Sequence, residues 1–301
     1  MTAIVGILNK NGVAFAADSA ATHTLAVDKK KITNHANKVF ELSRYRPVGV
    51  AICGNLSLMG MPWEDIFKMY RAKLDKGSFA HVKDYVHDLM QFVRMTILPC
   101  FKEEQKYQLD ILCSGLKNEM VSNAVEIKKQ GKKEKIRGED LYPLMIKQLN
   151  TFIKTYSSES MKNCKDYEGY TLRNFKKYAG PIVEPAMGKV FTNDKCPKTF
   201  KGLFYKALFH ILVSVKHVYL PTTEIIFWGY GDKDLFPSCH SIVISAAFDN
   251  RIKWTDNTVF TISNTSPAWI VPYAQTDVAN TVVRGVDQSL RNSLLLRLMR
   301  C

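Results

Sequence analysis

No stretch of this chain stays apolar for the ~18 residues that a membrane-spanning helix requires. The longest candidate, Leu203 to Val215, is interrupted by Lys206 and His210. The chain opens without a charged-then-apolar leader, and it contains no Cys-x-x-Cys pair. Its seven cysteines, Cys53, Cys100, Cys113, Cys164, Cys196, Cys239 and Cys301, are odd in number and scattered. That argues against a disulfide framework or zinc site and for reduced thiols in a cytoplasm. His23, His35, His81, His87, His210, His217 and His240 show no metal-ligand spacing, so the chemistry expected is free of metal and cofactor. Acids are scarce, Asp+Glu 28 against Lys+Arg 42, for a formal net charge of +14. No helix-turn-helix, finger or aromatic-basic signature accompanies that excess. The lysines therefore read as a solvated surface first, a docking face for an acidic protein second, and a nucleic-acid surface last.

With 46% hydrophobic and 23% charged residues over 301 positions, the chain can bury a full core as one large domain or two small ones. Met1-Thr2 is followed at once by a strand-like run, Ala3 to Leu8. Asn9-Lys10-Asn11-Gly12 has the composition of a tight hairpin turn, and Val13 to Ala17 returns as a second strand ending at Asp18-Ser19. Lys38 to Leu42 reads as another strand, Arg44 to Pro47 as a turn, and Val48 to Cys53 as a buried strand ending in Gly54-Asn55. Removal of Met1 would leave a threonine at the tip of a strand, with its own α-amine as the adjacent base that a hydroxyl nucleophile needs.

The order Thr2, Asp18, Lys38, Gly54 resembles the proteasome β-subunit group of N-terminal nucleophile hydrolases, including simpler bacterial relatives, over roughly the first quarter of the chain. The resemblance implies an α+β αββα sandwich, oligomeric assembly and a peptide or amide substrate. It implies Thr2 as nucleophile and base, Asp18 and Lys38 as tuning residues, and the Gly54 amide as an oxyanion donor. A lysine ammonium beside the α-amine would lower its pKa below the usual 7.7 to 8.0, and an oxyanion donor is typically worth about 10² to 10³ in rate. Asp18 equally suits a turn cap and Lys38 a solvated strand end. Lys31, before Ile32, competes with Lys38, which is preferred because Val39, Phe40 and Leu42 extend its strand. A catalytically inactive scaffold or partner-binding subunit is the alternative function.

Beyond Gly54 the period lengthens. Met61 to Asp65 reads as a first helical turn, with Ile66, Met69, Tyr70 and Leu74 on one face. After Gly77-Ser78 a second helix aligns Phe79, Val82, Val86, Leu89, Met90 and Val93. Three regions are expected: 1–96, the front half of the sandwich; 97–220, a basic, mainly helical insertion; and 221–301, a second sheet and the start of a C-terminal helix. Within the insertion Lys128 to Arg137 reads as an exposed loop or charged helix end, and Leu141 to Ile153 as helix. Ser157 to Ser160 and Gly180-Pro181 read as breaks, and Phe200 to Leu212 as a wide apolar helical face. Strands resume at Glu224 to Trp228, Ser241 to Phe248 and Val259 to Ile262, with Gly231-Asp232 a turn rather than a metal or phosphate loop. Where the family has a glycine-serine turn before its next helix, Ala268 to Thr276 stands, and no serine aligns. The family's later aspartate and serine would fall beyond Cys301, so the site is expected to be truncated, completed by another subunit, or inactive.

Overall fold

The computed structural model describes residues 3–26, 29–33, 36–131, 138–158, 164–188 and 198–274, with single positions at 277, 281 and 285. The chain is mixed α/β and its sheets are antiparallel. The strands are β1 (Ala3–Asn9), β2 (Gly12–Ala17), β3 (Ala21–Ala26), β4 (Lys29–Thr33), β5 (Val39–Glu41), β6 (Val48–Gly54), β7 (Ser57–Leu58), β8 (Met61–Pro62), β9 (Thr223–Gly229), β10 (Ser238–Phe248), β11 (Arg251–Thr261) and β12 (Ala268–Ala274). The α-helices are α1 (Trp63–Leu74), α2 (Val82–Phe92), α3 (Lys102–Gly131), α4 (Gly138–Tyr156), α5 (Leu172–Gly188) and α6 (Lys198–Val213).

The expected first hairpin forms. The Asn9 side-chain oxygen accepts from the amides of Asn11, at 2.8 Å, and Gly12, at 3.0 Å, closing the turn between β1 and β2. On its other side β1 pairs with β12, from Ala3 opposite Ala274 to Asn9 opposite Ala268. Residues 268–274 are thus a strand, where the sequence suggested only the replacement of a turn. Pro272 is accommodated because β12 is an edge strand, with one row of backbone groups outside the ladder.

The larger sheet has the order β11-β10-β9-β6-β5, and its interior strand β6 is buried on both faces. Alternation divides its side chains between two cores. Val48, Val50 and Ile52, with Ile225 and Phe227 of β9, pack on α1 and α2. Ala51 and Cys53, with Ile226, pack instead toward Ile4, Leu8, Val271 and Tyr273 of the three-stranded sheet. The result is a helix layer, a five-stranded sheet and a three-stranded sheet, stacked in that order. Between the sheets Phe15 stacks on Trp228, centroids 5.3 Å apart. Both rings need glycines beneath them: a Cβ on Gly6 would lie 2.4 Å from Phe15, and one on Gly49 2.3 Å from Trp228.

Helix α1 begins at Trp63, two residues later than its composition suggests, with Pro62 at the N-cap and Glu64 and Asp65 in the first turn. Its buried face is Trp63, Ile66, Phe67, Tyr70 and Leu74, whereas Met69, expected inside, points to solvent. In α2 the expected Val82, Val86, Leu89 and Met90 are buried. Phe79 lies before the helix, edge-on to Tyr85, and Val93 opens a π-helical turn, Val93–Ile97. Gly231-Asp232 is a turn as expected. The amides of Asp232 and Lys233 donate to Phe79 O and Ala80 O at 2.9 and 3.0 Å, clasping the loop after β9 to the segment before α2.

Helices α3 to α6 build a second core around Leu112, Leu116, Leu149, Phe175, Phe204 and Leu208, which meets β10 through Ala246 and Phe248. The apolar face of α6 is therefore covered within this chain. The break expected at Gly180-Pro181 does not occur, since α5 runs through Pro181 and Pro185. Phe175, Ala179, Val183 and Met187 recur every four residues and are all buried, which outweighs the roughly 3 kcal/mol an internal proline costs a helix. The break after α4 is present at Ser157 and Ser158, while Glu159 and Ser160 lie outside the described residues. Of the basic run, 128–131 end α3, and 132–137 lie outside the described residues.

Candidate functional site

The start of β1, the end of β2, the start of β5, the end of β6 and the start of β9 converge at one end of the two sheets. Asp18 follows β2 and is clamped to β1 twice: its amide donates to Ala3 O at 3.0 Å, and its Oδ1 accepts from the Ala3 amide at 2.9 Å. Lys38 precedes β5, and its carbonyl accepts from the Ile52 amide at 2.8 Å, tying it to β6 two residues before Gly54. Its ammonium crosses between the sheets, donating to Asp18 Oδ1 at 2.8 Å and Ala20 O at 2.6 Å. Lys38 is buried, and a buried ammonium is tolerated when a carboxylate and carbonyls take its protons. Partial burial works to raise the Asp18 pKa, but the hydrogen bonds from Lys38 and the Ala3 amide, with the Lys38 charge, hold it below the ordinary aspartate value.

Gly54 ends β6 opposite Thr223. Its φ is +87°, and a Cβ there would lie 2.3 Å from Thr222 O. Only glycine meets both conditions without strain. The corner is fixed by the Asn55 amide donating to Thr222 O at 2.8 Å, and by Trp63 Nε1 donating to Thr223 Oγ1 at 3.1 Å.

The structure thus brings together Asp18, Lys38 and the Gly54 corner. Thr2 lies outside the described residues. Lys31 lies on β4, opposite His23 in the β3–β4 hairpin, and its side chain lies outside the described part of the structure. Lys38 is in contact with Asp18.

Two residues passed over as strand formers complete the surroundings. Cys53 pairs across the ladder with Glu224, and the thiol donates to Glu224 Oε2 at 3.6 Å. Burial and the Glu224 carboxylate push the Cys53 thiol up to about 12, against the opposing Lys38 charge, so it stays protonated and is a poor nucleophile. Glu224 also accepts from Asn257 Nδ2 at 2.7 Å. The available signal was an acid inside the otherwise apolar strand Thr223–Gly229. Nearby Cys239 Sγ and Tyr273 OH lie 3.1 Å apart, and Ser241 and Thr258 share a hydrogen bond of 2.8 Å.

Chemically, the constellation holds the buried Lys38 side chain, paired with Asp18, beside the backbone that follows residue 2, and the Lys38 backbone is tied to β6 two residues before the Gly54 corner. Such an arrangement suits lowering the pKa of a neighbouring amine and stabilising a developing oxyanion. Comparison with protein-family models, curated proteins and solved structures finds no match to this chain.

Proposed function

We propose that this chain is an N-terminal threonine hydrolase resembling the proteasome β-subunit type, a cytoplasmic, oligomeric enzyme acting on a peptide or amide. The observation that carries the reading is the Lys38 ammonium, buried between two sheets and held by the carboxylate that also holds the Ala3 amide. Thr2 is covalently bound to that amide nitrogen, so a processed Thr2 begins one peptide unit from the Asp18–Lys38 pair. The layering of helices on a five-stranded sheet on a three-stranded sheet supports the front of an αββα sandwich, with 97–220 read as an insertion into it.

In this reading Thr2 Oγ attacks the substrate carbonyl while its proton passes to the Thr2 α-amine, kept neutral by the Lys38 charge. The oxyanion is met at the Gly54 corner. The C–N bond breaks, the leaving amine takes the proton, and an acyl ester on Thr2 remains. Water, deprotonated by the same amine, hydrolyses the ester and restores the hydroxyl.

The test is intact mass before and after incubation with an electrophile that crosslinks an N-terminal amino alcohol, with Thr2→Ala as control. Loss of Met1 and a Thr2-dependent adduct are expected. A retained Met1, or a processed Thr2 that never labels, sinks the reading. It would shift the weight to a silent, partner-binding subunit, a role for which the separately cored α3–α6 body is the relevant feature.

A further inference from the structure

A cleft opens on the seam between the two helical layers, away from the Asp18–Lys38 pair. Leaving α2, the chain makes a π-helical turn, Val93–Ile97, anchored by the buried side chains of Val93 and Ile97. Arg94 and Met95 of that turn, Pro99 just beyond it, and Asp249, Asn250 and Arg251 where β10 turns into β11 line a cleft of about 460 Å³. That is the size of a small-molecule site, and π-helical turns are rare and recur at functional sites. Val93 and Ile97 belong to the core under α1 and α2, whereas Phe248 and Tyr170 belong to the core of α3 to α6. Arg251 opens β11 at one edge of the five-stranded sheet, and Lys38 precedes β5 at the other.

The walls of the cleft are held by the chain itself. Asp249 and Asn250, with φ of +52° and +55°, are the central residues of the hairpin turn between the paired Phe248 and Arg251. The buried Gln105 of α3 ties that turn to the segment carrying Pro99. Its Nε2 donates to Leu98 O at 2.8 Å and Asn250 Oδ1 at 3.2 Å, and its Oε1 accepts from the Asn250 amide at 2.8 Å. Arg251 is oriented by Nη1 donating to Asp166 O at 2.8 Å, with its guanidinium 5.0 Å from the centre of the Tyr170 ring. Tyr170 OH in turn donates to Asp249 Oδ2 at 2.9 Å.

The charges of the cleft are not balanced within it. Among the described residues neither Arg94 nor Arg251 has a carboxylate oxygen within 4.0 Å. The buried Nε of Arg251 has no hydrogen-bond partner among them either. Asp249 offsets one of the two guanidinium charges and leaves the cleft positive. Two like charges lining one cleft repel each other, and an anion placed between them relieves that repulsion.

We propose that this cleft binds a small phosphomonoester, its phosphoryl group shared by Arg94 and Arg251 and a hydroxyl of its organic part donating to Asp249. A phosphoryl group carries about −1.5 to −2 charges and three acceptor oxygens, enough to engage two guanidinium forks at once. A carboxylate has two oxygens, which a single arginine already fills. Asp249 then sets which end of the ligand enters where, because it repels the anion and accepts from the hydroxyl. Exposed Met95 and Pro99 offer the rest of the ligand an apolar edge. No part of this inference depends on Thr2 or on the hydrolase reading.

The test is calorimetric titration of the full chain with glycerol 3-phosphate, against glycerol and inorganic phosphate. The ester is expected to bind the native chain and Thr2→Ala alike, and to bind Arg94→Gln at least about tenfold more weakly. Lys83→Gln, which removes an exposed charge from α2, is expected to leave its affinity unchanged. Inorganic phosphate, which has no organic part to reach Asp249, should bind about tenfold more weakly than the ester, and glycerol not at all. Arg94 has no ion pair to lose among the described residues, so Arg94→Gln should unfold at the native midpoint. The test thus stands even if Arg251→Gln, which gives up the bond to Asp166 O, fails to fold. An ester that does not bind the native chain, or that binds Arg94→Gln as tightly, overturns the site. So does an equal loss in Lys83→Gln, which would show only diffuse attraction to a chain of net charge +14. Inorganic phosphate binding as tightly as the ester overturns the role given to Asp249 and with it the ester as ligand.

Discussion

Lys38 and Asp18 lie 2.8 Å apart but are unequally exposed, the lysine side chain at 1% and the aspartate at 35%. Water can therefore take over hydrogen bonds lost by the carboxylate, whereas the ammonium has no such recourse to solvent.

That asymmetry predicts unequal costs for the two halves of the pair. Asp18→Asn takes a carboxylate away from a buried ammonium and should destabilise by about 3 kcal/mol. Lys38→Met leaves a partly wet carboxylate still bonded to the Ala3 amide and should cost about 1 kcal/mol. Urea unfolding of both variants checks the order, and a larger loss for Lys38→Met would contradict it. In the hydrolase reading both variants lose turnover, because the charge near the amine is lost or left unbalanced.

Gly54→Ala adds a methyl group against Thr222 O at a backbone conformation that alanine adopts with strain. A stability loss of about 1 to 3 kcal/mol is expected. In the hydrolase reading, a fall of about 10² to 10³ in kcat with little change in KM should accompany it. Parallel thermal unfolding and kinetics measure both effects, and an alanine variant of native stability would show that the corner relaxes.

Gly49→Ala tests the contact between the sheets. A Cβ at 2.3 Å from the Trp228 ring forces the indole off Phe15, so a loss of about 1 to 3 kcal/mol is expected from overpacking. A shifted tryptophan emission should report the displaced ring. Unchanged emission and stability would mean that the ring is not held there.

Stability should respond to pH through two groups at the end of α6. Burial, and then the Lys253 charge, lower His217 to about 4. Between pH 4 and 6.5 the unfolded chain binds a proton there that the folded chain does not, so stability falls as pH drops through that window, by up to about 1.4 kcal/mol per pH unit. Lys253, which caps α6 by donating to Ile211 O and Leu212 O at 2.9 and 3.0 Å, is lowered by burial to about 8. Between pH 8 and 10.5 the unfolded chain again holds the extra proton, so this group adds stability as pH rises. His217→Gln should flatten the acid limb of midpoint against pH, and Lys253→Met the alkaline limb, alongside the constant loss of a cap. Limbs unchanged in slope would reject these assignments.

Local pattern determined much of this molecule. The Asn9–Gly12 turn and the continuous apolar run Val48 to Cys53 were legible because a turn and a doubly buried strand each leave a mark within a few residues. The α2 face and the wide apolar face of α6 left the same kind of mark. So did the site candidates Asp18, Lys38 and Gly54, each at a strand end.

Other features were decided only by residues distant in the chain. Residues 268–274 have no alternation that marks a strand, and they become one because β1 offers its free edge more than 250 residues earlier. Pro181 should break a helix, and does not because Phe175 and Val183 are buried by helices from elsewhere. That Lys38, just before β5, reaches Asp18, just after β2, is set by how the two sheets stack. Glu224 read as an ordinary strand residue until the pairing of β9 with β6 set it opposite Cys53, whose thiol donates to its carboxylate. Propensity and period are properties of a few neighbouring residues. Edge pairing, burial and the meeting of charges depend on which surfaces the folded chain brings into contact, and no local window of sequence carries that information.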